Sequence, residues 1–129
     1  MSPAVADISS FFKLGRFLVI GASADRAKFG NKVVRSYQQA GLSVQPFSKR
    51  TESIEGIPCV KNLADILPTQ EDIGISIVTP PGATRMLMEE AYNLGFRNFF
   101  LQPGTHDSSC DQYISEITDK SDNCASVIK

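Results

Sequence analysis

The chain has 129 residues, enough for one domain with a proper core and too few for two. Its 42% hydrophobic and 21% charged residues are ordinary for a folded soluble protein and exclude a disordered one. With 13 basic against 14 acidic residues it lacks the broad basic face of a general nucleic-acid binder, and no apolar run approaches the roughly 20 residues of a membrane span.

The first segment, MSPAVADISSFFKLGRF, has neither a basic start nor a long apolar stretch, so no secretory signal is read there. Asp7 and the scarcity of arginine argue against a transit peptide, and a cytoplasmic location is the expectation. Asp7 or Ser9 is placed to cap a short helix that sets Phe11, Phe12 and Leu14 on the body. Arg16 to Ile20 is a short apolar run ending at Gly21, the pattern of a central strand buried on both faces. From Phe29 the period changes: Phe29, Val33, Tyr37 and Ala40 share one helical face, and Gly41 follows as a stop. Ser43 to Phe47 is a second strand, whose Pro46 limits further pairing.

Ile57 to Val60 predicts a short edge strand, and Asn62 a cap for a brief helix over Leu63–Leu67 closed by Pro68. Ile73 to Thr79 alternates, with Ile73, Ile75 and Ile77 on one side and Gly74, Ser76 and Val78 on the other. Small residues on the second side would let a helix or a ligand approach closely. Pro80 and Pro81 stop this strand, because proline lacks the donor a ladder needs. Ala83, Leu87, Ala91 and Leu94 give the next helix its apolar face, and Gly95 ends it. Asn98 to Leu101 is a further strand, and Gln102-Pro103-Gly104-Thr105 a turn. A last long helix, with Asp107 in its first turn, carries Cys110, Ile114 and Ile117 inward. Ala125 to Ile128 is an edge strand.

Strands and helices in alternation imply a single α/β domain over residues 1–129. Its expected form is Rossmann-like: a doubly wound, mostly parallel sheet of five to six strands with helices on both faces. Ligands of such sheets bind beyond the carboxyl ends of the strands, at the switch point. Four strand ends should face that crevice.

In the first, Gly21 permits a sharp turn, Ala22 and Ser23 follow, and Lys28, Phe29 and Gly30 open a helix whose free N–H groups favour an anion. This suits a diphosphate, although two glycines at this spacing serve equally as turn and packing residues. The second end reads Pro46-Phe47-Ser48-Lys49-Arg50. NAD-binding domains place a carboxylate there for the ribose. Two cations instead fit a phosphate on the adenosine ribose, as carried by NADP or by coenzyme A. The third end, Val78-Thr79-Pro80, is rigid and could wall a nucleotide or a pantetheine arm. The fourth is Gln102-Pro103-Gly104. Beside it lies His106, the one histidine, for which a surface or packing role is expected.

The ordered set Val19-Ile20-Gly21-Ala22-Ser23, Lys28-x-Gly30-Asn31-x-Val33, Gly41-x-x-Val44-x-Pro46, Ile54-x-Gly56-Ile57, Leu63-x-Asp65-Ile66, Thr79-Pro80-Pro81 and Gln102-Pro103-Gly104 resembles the small stand-alone CoA-binding proteins. These are related to the CoA-binding domain of succinyl-CoA synthetase alpha subunits. The resemblance spans roughly residues 8 to 128. It implies that Gly21, Ala22, Ser23, Lys28 and Gly30 meet the CoA phosphates. Pro46 with Lys49 or Arg50 would lie near the adenosine phosphate, and Val78, Thr79 and Pro80 would line the nucleotide. The family often reads Pro-Val-Asn-Pro after the second strand, where this chain has Pro46-Phe47-Ser48-Lys49. The phosphorylatable histidine of the synthetases lies in a further domain, so His106 inherits no such role.

The resulting expectation is a binder of coenzyme A or an acyl-CoA with no catalytic residues of its own and no metal site, working alone, as a homo-oligomer or beside a partner enzyme. The alternatives are an NADP-dependent oxidoreductase and a regulatory or interaction domain with a vestigial pocket. Three cysteines, Cys59, Cys110 and Cys124, make no CxxC and no zinc cluster and are read as reduced thiols. A mixed disulfide between one of them and the CoA thiol is a further expectation.

Overall fold

Five of the apolar runs pair, all in parallel, into one sheet. The computed structural model describes residues 8–66, 72–102, 104–118 and 125–129. Its elements run α1 (Ile8–Phe11), β1 (Arg16–Ile20), α2 (Phe29–Gln39), β2 (Val44–Phe47), β3 (Ser53–Ile54), β4 (Ile57–Pro58), a 3₁₀ turn (Leu63–Ile66), β5 (Ile73–Ile77), α3 (Pro81–Leu94), β6 (Asn98–Leu101), α4 (Ser108–Thr118) and β7 (Ser126–Ile128). The sheet order is β2-β1-β5-β6-β7, and β3 with β4 forms a separate antiparallel hairpin. The fold is α/β and Rossmann-like, as the alternation of elements predicts. β1 lies between β2 and β5, so the chain leaves it in one direction and returns to build the sheet in the other. That reversal defines the switch point.

Alternation along β1 divides the core. Phe17 and Val19 join Phe11 of α1 with Val33, Val34 and Tyr37 of α2 on one face. Leu18 and Ile20 point to the other face, against Ile75 and Ile77 of β5, Met88 and Ala91 of α3, and Ile114 of α4. Both faces are therefore covered, which explains why β1 reads as a continuous apolar run. Each such side chain contributes about 1.5–3 kcal/mol when fully buried.

The small residues of β5 serve a helix, not a ligand. A methyl group at Gly74 would fall 2.7 Å from the ring of Phe11, so glycine is what lets α1 lie on the sheet. Ser76, fully buried, shares a short hydrogen bond with the Tyr37 hydroxyl across the same face. The two polar groups satisfy one another away from water.

Several boundaries differ from expectation. The first helix begins at Ile8, so Ser9 lies within it; Asp7 falls outside the described residues. Phe11 is buried, but Phe12 is 36% exposed. In α2 the buried residues are Gly30, Asn31, Val33, Val34 and Tyr37; Phe29 and Ala40, at the ends, project beyond the sheet and are exposed. In α3 the buried stripe runs through Thr84, Met88, Ala91 and Tyr92, one position round from the expected one. Thr84 tolerates burial because its hydroxyl reaches the carbonyls of Thr79 and Pro80. Asp107 precedes α4 and caps it, accepting from the Cys110 N–H at 3.0 Å, and this bond holds its carboxyl below the ordinary range. The expected edge strand at Ile57–Val60 is divided. Ile57–Pro58 is one arm of the hairpin, and Val60 alone bridges β2, donating to the Pro46 carbonyl and accepting from Ser48 N–H. Pro46 therefore loses nothing by lacking a donor. Asn62 caps its short turn as expected, accepting from Ala64 N–H at 3.2 Å. Leu67 and Pro68 fall outside the described residues.

Burial pushes the Tyr37 phenol above its ordinary 10.0, the Ser76 bond opposing this only in part. The unfolded chain therefore releases this proton first as pH rises, and the stability that the neutral phenol contributes is whole below 10.0 and lost above it. Tyr37→Phe is expected to flatten that alkaline loss, without abolishing it, because burial raises Tyr113 in the same direction. At neutral pH the variant should cost about 1 kcal/mol through the partner it removes from Ser76. Urea unfolding at a series of pH values checks both.

Candidate functional site

Because all five strands are parallel, their carboxyl ends lie along one edge of the sheet. The segments after β1, β2, β5 and β6 meet there, and backbone bonds extend the ladder into two of them. Val78 N–H donates to the Ile20 carbonyl at 2.9 Å, and Gln102 N–H to the Ile77 carbonyl at 3.1 Å.

The segment after β1 is shaped by two close approaches. Gly21 takes a left-handed φ of 96°, and a side chain there would strike Val78 at 2.7 Å. A methyl group at Gly30 would lie 2.1 Å from the Gly21 carbonyl oxygen. The Gly30 contact is with backbone, which no side-chain movement relieves, and at Gly21 the Val78 backbone stands 3.0 Å away behind its side chain. They bring the start of α2 directly over the end of β1. Lys28 occupies the N-cap position of α2 in an extended conformation and makes no side-chain cap. Asn31 N–H donates back to the Lys28 carbonyl at 3.1 Å, so the N–H groups of Phe29 and Gly30 are the ones left for something else to satisfy.

Between these glycines the loop is braced from within. Ser23 Oγ accepts from Asp25 N–H at 3.1 Å, and Asp25 Oδ1 from Ala27 N–H at 3.0 Å. A buried amide holds the loop from behind. Asn31 donates through Nδ2 to the Ser23 carbonyl at 2.9 Å and to Glu55 Oε2 at 3.0 Å. Its Oδ1 accepts from Arg35 Nε at 2.7 Å, and Arg35 reaches on to the Arg26 carbonyl. Arg26 itself stands 3.5 Å from the Glu55 carboxylate. Glu55 sits at the tip of the β3–β4 hairpin with a φ of 51°. The hairpin therefore serves as a prop for the loop. Arg26, Arg35 and Glu55 were invisible as site residues from sequence, since Glu55 is 24 positions from Asn31; Asn31 stood in the Lys28-x-Gly30-Asn31-x-Val33 motif of the resemblance but was given no site role.

At the end of β2 Pro46 and Phe47 are buried, and after it the Ser48 hydroxyl accepts from the N–H groups of Arg50 and Thr51. This turn presents Lys49 and Arg50 to solvent, and among the described residues neither forms an ion pair. After β5, the Thr79 hydroxyl is bonded to Thr84 at 2.8 Å, which stiffens the Val78-Thr79-Pro80 turn at the start of α3. After β6, Thr105 Oγ1 donates to the Gln102 carbonyl at 2.6 Å. Gly104 is exposed, and Pro103 falls outside the described residues. Ala22 packs against the α2 face of the core, while Lys28 and Phe29 stand exposed at the helix entrance.

His106 does have a carboxylate neighbour: its Nδ1 lies 2.9 Å from Asp111 Oδ1, at the first turn of α4. Cys110 is fully buried, donates to the Pro81 carbonyl, and is pushed up by burial. Cys59 is half-buried and also pushed up by burial. Neither has the lowered thiol that rapid exchange requires. Cys124 falls outside the described residues. Among the described residues no group of three or more His, Cys, Asp and Glu could hold a metal ion. No helix among them is long and apolar enough to cross a membrane.

Known proteins place this geometry. Residues 15–128 match the family model described as CoA binding domain. A conserved hypothetical protein from Pyrococcus furiosus is 27% identical, covering 78% of this chain and 85% of its own, with a TM-score of 0.72. Two solved structures share the fold at lower identity. One, from Pyrococcus horikoshii, is 19% identical, with a TM-score of 0.75 over 92% of this chain and 78% of its own. The other, from Thermus thermophilus, is 22% identical, with a TM-score of 0.72 over 92% of this chain and 84% of its own. No curated protein matches the chain.

Asn31→Ala removes one side chain and leaves the Ser23 carbonyl, Glu55 and Arg35 without it. A loss of about 1–3 kcal/mol is expected in chemical denaturation. Amide hydrogen exchange should accelerate most in residues 22–28, with β5 and β6 unaffected.

Proposed function

The chain belongs to the family of CoA binding domains, and on that premise we propose that it binds coenzyme A, or an acyl-CoA, through its phosphates at the switch point between β1 and β5. Residues 1–129 are read as one such binding domain, without a chemical step of its own. The observation that carries this reading is the uncapped start of α2, held against β1 by the Gly21–Gly30 contact and flanked by free cations.

The residues fit the group. A diphosphate is an anion that needs backbone donors and a concave approach, and the Gly21-Ala22-Ser23 turn with the first N–H groups of α2 supplies both. Lys28, at the N-cap, adds charge without filling the cap. Lys49 and Arg50 stand after the neighbouring strand β2, where a ribose phosphate would come. Phe47 and Ser48 shape that turn. Val78, Thr79 and Pro80 form the rigid wall on the other side, and Gln102 and Gly104 stand at the end toward which a pantetheine arm would extend. In this arrangement the protein's part is to bind and orient; the thiol is the chemistry the ligand brings.

Calorimetric titration with CoA, 3′-dephospho-CoA, NADP and NAD tests the reading. CoA is expected to bind best, and removal of its 3′-phosphate to weaken binding about 10- to 100-fold, as loss of hydrogen bonds to a charged group does. A Lys49→Ala/Arg50→Ala double variant should bind both forms alike, at the weaker level. Preference for NADP would instead support the reductase, and no binding to any of the four would leave a scaffold whose role lies in a partner surface.

A further inference from the structure

A groove of about 520 Å³ runs along the outer flank of α2. Phe29 and Gln102 stand at one end, both at the crevice, and Phe12 and Leu42 at the other, beyond the amino ends of the strands. Val33 and Ala40 lie between them on α2. We propose that this groove takes the acyl chain of a fatty acyl-CoA whose phosphates lie at the start of α2. The inference rests on the CoA reading above and names the ligand class within it.

Three features point to a hydrocarbon chain. First, the groove opens at the ligand crevice, at a phenylalanine that is 54% exposed at the first turn of the helix that would hold the phosphates. An aromatic ring left in water beside a phosphate site is explained by an apolar continuation of the same ligand. Second, the polar groups along the walls are already engaged. The Tyr37 hydroxyl is spent on Ser76, and the Ser36 hydroxyl on the Lys32 carbonyl at 2.9 Å. A sugar or a peptide would find few partners there, whereas methylenes need none. The exceptions are Lys32, whose exposed ammonium forms no ion pair with a described residue, and Gln102 at the mouth, whose side-chain amide is placed where a thioester or pantetheine amide would pass. Third, the length suits. α2 from Phe29 to Ala40 rises about 16 Å. An extended chain advances about 1.2 Å per bond, so the groove accommodates a saturated chain of a dozen or so carbons.

The test is a calorimetric series on the full chain with CoA and its acetyl, hexanoyl, decanoyl, dodecanoyl and hexadecanoyl thioesters, all below their micelle concentrations. Affinity is expected to rise with chain length, by up to about fourfold per buried methylene, and to level off near dodecanoyl. Ser36→Trp fills the groove from an exposed position and should abolish the rise while leaving CoA itself bound as before. Ala40→Phe provides a second plug should the first disturb folding. If CoA binds and chain length has no effect, the acyl groove is overturned and the CoA reading stands. If neither CoA nor any thioester binds, both fall. If the chain-length effect is absent and Ser36→Trp converts a dimer to a monomer in light scattering, the groove is an interface between copies of this chain, and the proposal is overturned.

Discussion

The backbone contact between Gly30 and Gly21 is the constraint on which the site depends. A helix that starts one turn after a strand can leave at many angles. Here the start of α2 is pressed so near the end of β1 that a single methyl group would collide with a carbonyl oxygen. This fixes the helix axis over the strand end and seats Val33, Val34 and Tyr37 on the face of β1. It also aims the N–H groups of Phe29 and Gly30 at the edge where the segments after β1, β2, β5 and β6 converge. Under the proposed function packing and binding become one requirement, since the glycines that let the core close would also open the anion site.

A constraint of that kind needs a loop that keeps its shape, and the seven positions from Ala22 to Lys28 have no helix or strand to hold them. The brace comes from elsewhere in the chain. Asn31, inside α2, ties the loop carbonyl to a hairpin carboxylate and to a guanidinium in one buried junction. Glu55 so near a proposed phosphate site is at first sight the wrong charge. Its partners are Asn31, behind the loop, and Arg26, a residue of the loop itself, so its charge is met within the brace, while Lys28, Lys49 and Arg50 form no ion pair among the described residues. The hairpin, which adds nothing to the main sheet, is accounted for by this duty.

The strands were legible because burial on both faces leaves a plain mark: Arg16–Ile20 and Asn98–Leu101 have the bounds their apolar runs predict. The strand ends that build the crevice follow from those runs and the parallel order. Helix faces were less secure. In α3 the stripe of Ala83, Leu87 and Leu94 competes with one through Thr84 and Met88, and the buried choice depends on a threonine whose hydroxyl finds local carbonyls. That satisfaction is tertiary, and hydropathy cannot express it. The same holds for Phe29, apolar yet exposed, and Asn31, polar yet buried, two residues of the first turn of α2 whose roles are exchanged relative to their hydropathy. The Asn31–Glu55 link and the groove from Phe29 to Leu42 join residues that share neither period nor motif, so no pattern in the chain announces them.

The central claim, that the ligand's diphosphate is held at the start of α2 by the loop the two glycines create, is tested most directly by an amide-resolved NMR titration of the labelled protein with CoA. The account predicts that the largest shift changes fall on residues 21–31, with a second set on 48–51, and that amides of α4 and the outer face of α3 stay still. Changes centred instead on α3 and α4, with the Gly30 and Asn31 amides unmoved, would contradict it.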